Sequence, residues 1–213
     1  MIDSQLLLQF LITLPALLVS MVFHEISHGY IAFRLGDETA LKRGRLSLNP
    51  LRHLDPLGTI MLFLTFFVSG GNMLFGWAKP VPINPSYFKN PQRGMMWVGA
   101  AGPVANFMLA SATALAMKWL FPVPVDSTFL GVLFLVFQLN LILMVFNLIP
   151  VPPLDGSRIL GGFLNREAYI RWIRLDRYGM LFIMLLFFVM IQFNLISAFT
   201  GLYHFFLPAS YGF

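Results

Sequence analysis

The sequence predicts an all-α polytopic membrane protein with about four transmembrane helices and a re-entrant or β-like membrane-associated segment between the first and second helices. Of its 213 residues, 58% are hydrophobic and 11% are charged, whereas an average soluble domain is about 25% charged. Four stretches are also apolar over the ~20 residues that a membrane-spanning helix requires. This composition leaves no room for a sizeable soluble domain, so we interpret residues 1–213 as a single intramembrane domain.

The four predicted spans cover residues 4–33, 94–120, 127–150 and 178–207. The first contains no charged residue before position 24, and the second is uncharged up to Lys118. No Asp, Glu, Lys or Arg follows Tyr178. The second span is rich in Gly and Ala, which let helix backbones approach closely. We therefore expect it to pack against the first and third spans.

The stretch from residue 58 to residue 90 is ambiguous, because its apolar part is interrupted by glycines and followed by Lys79-Pro80-Val81-Pro82. If this stretch enters and leaves on one side, every Lys and Arg except Lys118 lies on that side, which the positive-inside rule identifies as the cytoplasm. A full crossing would instead place the arginines of residues 158–177 opposite the cluster at residues 34–52. The charge distribution predicts a re-entrant segment at 58–90, with both termini outside the cytoplasm.

The most informative motif is His24-Glu25-Ile26-Ser27-His28, at the inner end of the first predicted span. Residues four apart project from the same face of a helix, so His24 and His28 can present two imidazole nitrogens to one zinc ion. Glu25 lies beside that position, where a carboxylate can accept a proton from a water molecule. The alternative is a pair of histidines that cap a helix end or pair with Glu25. Ionisable side chains at membrane depth usually mark functional sites, which favours the metal site.

A catalytic zinc site usually has three protein ligands, and the chain contains no cysteine. Asp155 is the favoured third ligand, because the third predicted span runs in the same direction as the first and ends just before it. The alternative role for Asp155 is to cap a short helix over residues 157–164. His53 lies on the correct side of the membrane but is a weaker candidate. His204 lies near the outer end of the last predicted span, far from the others.

Three amides, Asn106, Asn140 and Asn147, lie within the predicted spans. Asn140 and Asn147 are seven residues apart and share a helix face. The ordinary role of such amides is hydrogen bonding between helices. Asn147 precedes Asp155 by two helical turns, so it is also a candidate to stabilise an oxyanion beside the metal.

These residues resemble the site-2 protease family of intramembrane zinc metallopeptidases, in its compact prokaryotic form without a PDZ or CBS domain. The resemblance rests on HEISHG at 24–29, AGPVANF at 101–107 and NLIPVPPLDG at 147–156, in that order. It implies that His24, His28 and Asp155 bind one zinc ion and that Glu25 is the catalytic base. It also matches Asn147 and the Gly102-Pro103-Asn106 pattern to family motifs, and it implies that part of residues 58–85 receives the substrate.

The predicted function is therefore a zinc-dependent endopeptidase that cleaves within or near a transmembrane segment of a membrane-protein substrate. The predicted location is the cell membrane, with several spans and the active site near the cytoplasmic side. The net charge of +5 indicates orientation and contact with anionic lipid rather than binding to nucleic acid. The alternative function is a non-catalytic zinc-binding scaffold or transporter, although Glu25 argues against a purely structural site, which would use four protein ligands. The sequence does not define the substrate or the oligomeric state.

Overall fold

The computed structural model describes residues 4–120 and 127–192, and the regular secondary structure in these ranges is helical. Short 3-10 turns at Pro50–Arg52, Pro85–Tyr87 and Arg174–Tyr178 lie between the α-helices. The α-helices are α1 Ser4–Arg34, α2 Thr39–Lys42, α3 Pro56–Val68, α4 Pro91–Leu120, α5 Ser127–Leu148, α6 Asp155–Gly161, α7 Arg166–Ile173 and α8 Gly179–Gln192.

Three of the described helices, α1, α4 and α5, are long and apolar enough to cross a membrane. They coincide with the first three predicted spans, although α4 begins three residues earlier than predicted and α5 ends two residues earlier. The fourth predicted span, 178–207, begins as α8, and its part beyond Gln192 lies outside the described residues.

Helix α4 lies at the centre of the fold and packs against α1, α5 and α6. Its buried positions recur every three or four residues and include Gly99, Gly102, Asn106, Ala110 and Ala114. The small side chains let α1 and α5 approach the α4 backbone, as expected for helices packed in a membrane. The predicted packing of the second span between the first and third is confirmed.

The segment after the first span differs from the β-like prediction, because its apolar part forms helix α3. Asp55 caps the start of this helix by accepting a hydrogen bond from the Gly58 amide at 2.9 Å, and Pro56 occupies the first turn. Both features favour helix initiation. Within the described ranges, β-pairing is limited to an isolated bridge between Leu54 and Ala78. The β-like element predicted from the sequence is therefore wrong for residues 56–68.

After α3 the chain reverses and runs back along the same helix. Gly70 and Gly71 both have positive φ, 63° and 84°, a conformation that favours glycine. The returning chain is held by Thr65, whose hydroxyl bonds both the N–H and the carbonyl of Phe75, at 3.0 and 3.1 Å. The segment therefore ends beside its own beginning, where residues 78–84 form an extended stretch that we call the strap.

Candidate metal centre

His24 and His28 lie one turn apart on the face of α1 that contacts α4. Both imidazoles are buried, with 8% and 7% of the residue exposed. Their rings lie edge to face, with centroids 4.6 Å apart. The i, i+4 spacing of the motif therefore places both rings on one buried face, as the sequence predicts.

Asp155, the first residue of α6, lies next to both histidines. Its Oδ2 lies 3.1 Å from His24 Nε2 and 3.3 Å from His28 Nε2. One ligand atom from each of the three residues lies within 4.8 Å of the other two. The alternative in which Asp155 caps the following helix is wrong, because the N-cap position is Leu154 and Asp155 is the first residue of α6. The chain turns sharply between α5 and α6, which brings the carboxylate to the level of the histidines.

Nδ1 of each imidazole is hydrogen-bonded, whereas Nε2 faces Asp155. The partner of Nδ1 determines which nitrogen carries the proton of a neutral ring. His28 Nδ1 lies 2.7 Å from the Val98 carbonyl, and His24 Nδ1 lies 2.5 Å from Asn106 Oδ1. Both partners are oxygen acceptors, so each Nδ1 carries a proton, and each ring in its neutral form presents a bare Nε2 lone pair. This is the usual orientation of imidazoles that bind a metal.

The three inward atoms are thus two nitrogen lone pairs and Asp155 Oδ2, which is buried without a hydrogen-bond partner. Such a cluster is electrostatically repulsive unless a cation lies between its members. Two ligands about 2.0–2.1 Å from a tetrahedral zinc ion lie about 3.3 Å apart, close to the observed 3.1 and 3.3 Å. The donor set fits a divalent metal of the zinc type.

Gly102 of α4 lies directly against both imidazoles. A Cβ atom at this position would lie 2.5 Å from His28 Nε2 and 2.6 Å from His24 Nε2. Real Cβ contacts essentially never come so close, and here the neighbouring atoms are the candidate ligands themselves. Glycine at position 102 therefore provides the space that the two imidazoles occupy.

The carboxylate of Glu25 faces the strap. Its Oε2 accepts a hydrogen bond from the Val81 backbone N–H at 3.1 Å. Val81 lies between Pro80 and Pro82, which have no N–H, so it supplies the single backbone donor of this tripeptide. The Val81 side chain is buried against the α1 backbone at Gly29.

Asn147 and His53 each have a hydrogen-bond partner outside the three grouped ligand residues. Asn147 is in the last turn of α5, and its Nδ2 donates to the Leu143 carbonyl of its own helix at 2.9 Å. His53 is buried, and its Nε2 lies 2.8 Å from the Ser47 carbonyl. It is not part of the group formed by His24, His28 and Asp155. His204 lies outside the described residues.

Three features of the site were not predicted from the sequence: the hydrogen bond that Asn106 accepts from His24, the contact of Gly102 with both rings, and the backbone donor at Val81. The i, i+4 spacing of Gly102 and Asn106 places them on one helix face, which is a signal for the first two. The Pro-Val-Pro tripeptide indicates a single backbone N–H donor. The group to which this N–H points depends on how the chain folds back after α3.

Comparison with known proteins identifies the family of this chain. The profile described as Peptidase family M50 matches residues 123–192. The chain is 41% identical over 180 residues to YwhC of Bacillus subtilis, a candidate zinc metalloprotease, in a match that covers 80% of this chain and 77% of YwhC. This chain belongs to peptidase family M50.

A second M50-type relative gives the same result. Rip2 of Mycobacterium tuberculosis, also a candidate zinc metalloprotease, is 34% identical over 179 residues, covering 84% of this chain and 67% of Rip2. The resemblance to the site-2 protease family predicted from the three motifs is thereby confirmed. No solved structure matches the chain.

Proposed function

We propose that this protein is a zinc-dependent intramembrane endopeptidase that hydrolyses a peptide bond within or near a transmembrane segment of its substrate. The observation that carries the proposal is the convergence of Asp155 on His24 and His28, which lie with Glu25 in a helix that is long and apolar enough to span a bilayer. Membership of family M50 and the zinc metalloprotease relatives support the same reaction. We assign His24, His28 and Asp155 as the zinc ligands.

The membrane topology that we propose has four spans, α1, α4, α5 and a last span that begins with α8, in the cell membrane. Residues 58–90 are re-entrant, and the return of the chain along α3 supports this assignment. Every Lys and Arg except Lys118 then lies on the cytoplasmic side. The metal ligands lie near the same side, at the end of α1 and the start of α6, where water can reach them.

Glu25 is the general base in this mechanism. A zinc ion held by the three ligands supplies Lewis acidity, which polarises a peptide carbonyl and makes a water molecule more acidic. Glu25 takes the proton of the attacking water and delivers it to the leaving amine. The Val81 N–H holds Oε2, so we assign the proton to Oε1. Asn147, at the end of α5, donates its amide to the oxyanion after releasing the Leu143 carbonyl.

The substrate must present an unpaired carbonyl to this site. A transmembrane helix keeps its carbonyls in i→i−4 hydrogen bonds, so a segment with helix-breaking residues near the scissile bond is the best substrate. The protein's partners are therefore a membrane-protein substrate and the surrounding lipid bilayer.

The test is hydrolysis of a single-span substrate in detergent by the wild type and Glu25→Gln. Glutamine keeps the size of the side chain but cannot take the proton, so cleavage should fall by about 100-fold or more while bound zinc, measured by elemental analysis, stays the same. Cleavage at the wild-type rate by Glu25→Gln contradicts the assignment of the base. Zinc binding without cleavage by the wild type, combined with zinc flux in liposomes, would support the transporter alternative.

A further inference from the structure

A buried chain of polar side chains extends behind His24 into the centre of the helical bundle. Asn106 Nδ2 donates to Asn140 Oδ1 at 2.7 Å, and Asn140 Nδ2 donates to Ser20 Oγ at 2.8 Å. The three residues come from α4, α5 and α1, and each is fully buried. The proposed mechanism assigns no role to Asn140 or Ser20.

The polarity of this chain is fixed at its far end by two backbone carbonyls, which can only accept hydrogen bonds. Asn140 Nδ2 also lies 2.8 Å from the Val136 carbonyl, so the NH₂ group of Asn140 must face that oxygen. The Ser20 hydroxyl donates to the Ala16 carbonyl at 2.8 Å, which leaves its oxygen to accept from Asn140. Neither amide can be reversed without placing two acceptors or two donors face to face.

The fixed polarity extends to the metal centre. Because Asn140 presents its oxygen to Asn106, the NH₂ group of Asn106 points away from the metal centre and its Oδ1 points at His24. His24 Nδ1 must then carry the proton, and Nε2 is left bare toward Asp155. The Asn106 NH₂ group has a second contact, to the Ser20 carbonyl, but at 3.5 Å it is too long to orient the amide alone.

We propose that Asn140 and Ser20 are positioning residues that set the tautomer of His24 through Asn106 and thereby raise the affinity of the site for zinc. The inference rests on the metal site of the proposed function and adds two residues that never touch the metal. Without Asn140, the Asn106 amide is free to rotate and present its NH₂ group to His24 Nδ1. The His24 proton then moves to Nε2, which can no longer bind a metal.

The two histidines differ in this respect. His28 Nδ1 bonds the Val98 carbonyl, a backbone group that cannot rotate to become a donor. The His28 tautomer is therefore independent of side chains on other helices. Only His24 depends on the amide chain, so removing that chain should weaken the metal site without abolishing it.

The first experiment measures the zinc dissociation constant of purified protein in detergent by competition with a chelator. Loss of an outer-shell partner typically weakens metal binding by about 10- to 100-fold, and this is the expected effect of Asn140→Leu. Asn147→Leu is the matched control, since Asn147 also donates to the carbonyl four residues earlier in α5. It should leave zinc affinity unchanged even though it impairs hydrolysis.

A milder pair of variants applies if Asn140→Leu does not fold. Ser20 and Ser27 both donate to the carbonyl four residues earlier in α1, at 2.8 and 2.7 Å. Only Ser20 also accepts from Asn140. Ser20→Ala should weaken zinc binding several-fold, whereas Ser27→Ala should have no effect. Equal zinc affinities for these two variants would overturn the proposal.

A substitution of Asn106 distinguishes control of the His24 tautomer by Asn140 from an ordinary packing role of Asn140. Asn106→Asp has oxygen at both side-chain positions, so it accepts from His24 Nδ1 in either orientation. Added to Asn140→Leu, Asn106→Asp should restore the zinc affinity that Asn140→Leu loses, because no amide remains to rotate and no Asn140 oxygen faces the carboxylate. The cobalt-substituted protein should show the corresponding difference in its visible absorption spectrum.

A merely structural role of Asn140 predicts that Asn106→Asp restores no zinc affinity to Asn140→Leu, and that result would refute the inference. Zinc affinity of Asn140→Leu equal to that of the wild type would also refute it, while leaving the peptidase proposal intact. The peptidase proposal fails separately, if the wild type binds zinc but cleaves no substrate.

Discussion

Two walls of the candidate metal centre hold the proposed catalytic groups in different ways. The helical wall, formed by α1, α4 and α5, holds His24 and His28 through Asn106 and the Val98 carbonyl, and these partners are buried among the helices. The strap, residues 78–84, holds Glu25 through one backbone N–H of an extended segment. The proposed metal ligands thus depend on helix packing, whereas the proposed base depends on the position of a loop.

The strap is fastened on both sides of Val81. Toward its start, the Lys79 N–H donates to the His53 carbonyl at 2.9 Å, and the Lys79 carbonyl accepts from Arg45 at 2.5 Å. Toward its end, the Asn84 N–H donates to the Asp37 carboxylate at 2.6 Å. These bonds fix the direction of the Val81 N–H. We therefore expect substitutions in the helical wall to change zinc binding and substitutions in the strap to change kcat.

The largest expected effect comes from the helical wall, with Gly102→Ala. The added methyl group would lie about 2.5 Å from atoms of both imidazoles, so the rings must move. Because misplacement by about 1 Å can cost about 100-fold, hydrolysis should fall by at least that factor and bound zinc should fall with it.

The control is Gly131→Ala in α5, where no atom lies within 4 Å of an added Cβ. This variant should keep both zinc and activity. Full zinc occupancy in Gly102→Ala would contradict the packing argument for the helical wall.

A smaller effect is expected from the strap, with Val81→Pro. Proline removes the N–H that Glu25 accepts. A hydrogen bond to a charged group is worth about 1.5–3 kcal/mol, so kcat should fall by about 10-fold or more. Zinc content and KM should change little.

Val81→Ala keeps the N–H and controls for the loss of packing against Gly29. Its kcat should exceed that of Val81→Pro. Loss of zinc from Val81→Pro would contradict the expectation that the strap affects kcat and not zinc binding.

The smallest effect concerns Asp37, which fastens the end of the strap and is fully buried. Burial raises the pKa of this carboxyl, but hydrogen bonds from Thr39 and Asn84 outweigh it, so the pKa lies below the ordinary 3.8. The ionised carboxylate therefore stabilises the fold above about pH 4, and this stabilisation is lost as pH falls through the lowered pKa.

Asp37→Asn should reduce the free energy of unfolding by about 1 kcal/mol at pH 7. The difference from the wild type, measured by thermal unfolding in detergent, should narrow as the pH is lowered from 5 to 3. A difference that is constant over this range would contradict the charged role of Asp37.

Much of the helical wall could be predicted from the sequence. The i, i+4 histidines define a helix face, the uncharged stretches define three of the long helices, and the small residues of α4 identify it as the central packing partner. The position of Asp155 relative to the histidines followed from counting spans. The strap could not be predicted in the same way, because a Pro-rich loop has no periodicity and its partners are backbone atoms distant in sequence.

The sequence by itself determined which residue types are available for chemistry and which helices bring them to the same depth, because side-chain periodicity and hydrophobic length are local properties. Only the tertiary structure decided which oxygen accepts from each imidazole, which glycine makes room for the metal and which amide orients Glu25. These contacts join residues up to 82 positions apart, as in the bond between His24 and Asn106. The folded chain selects them because buried polar groups must find partners, and nearby sequence does not specify which partners are within reach.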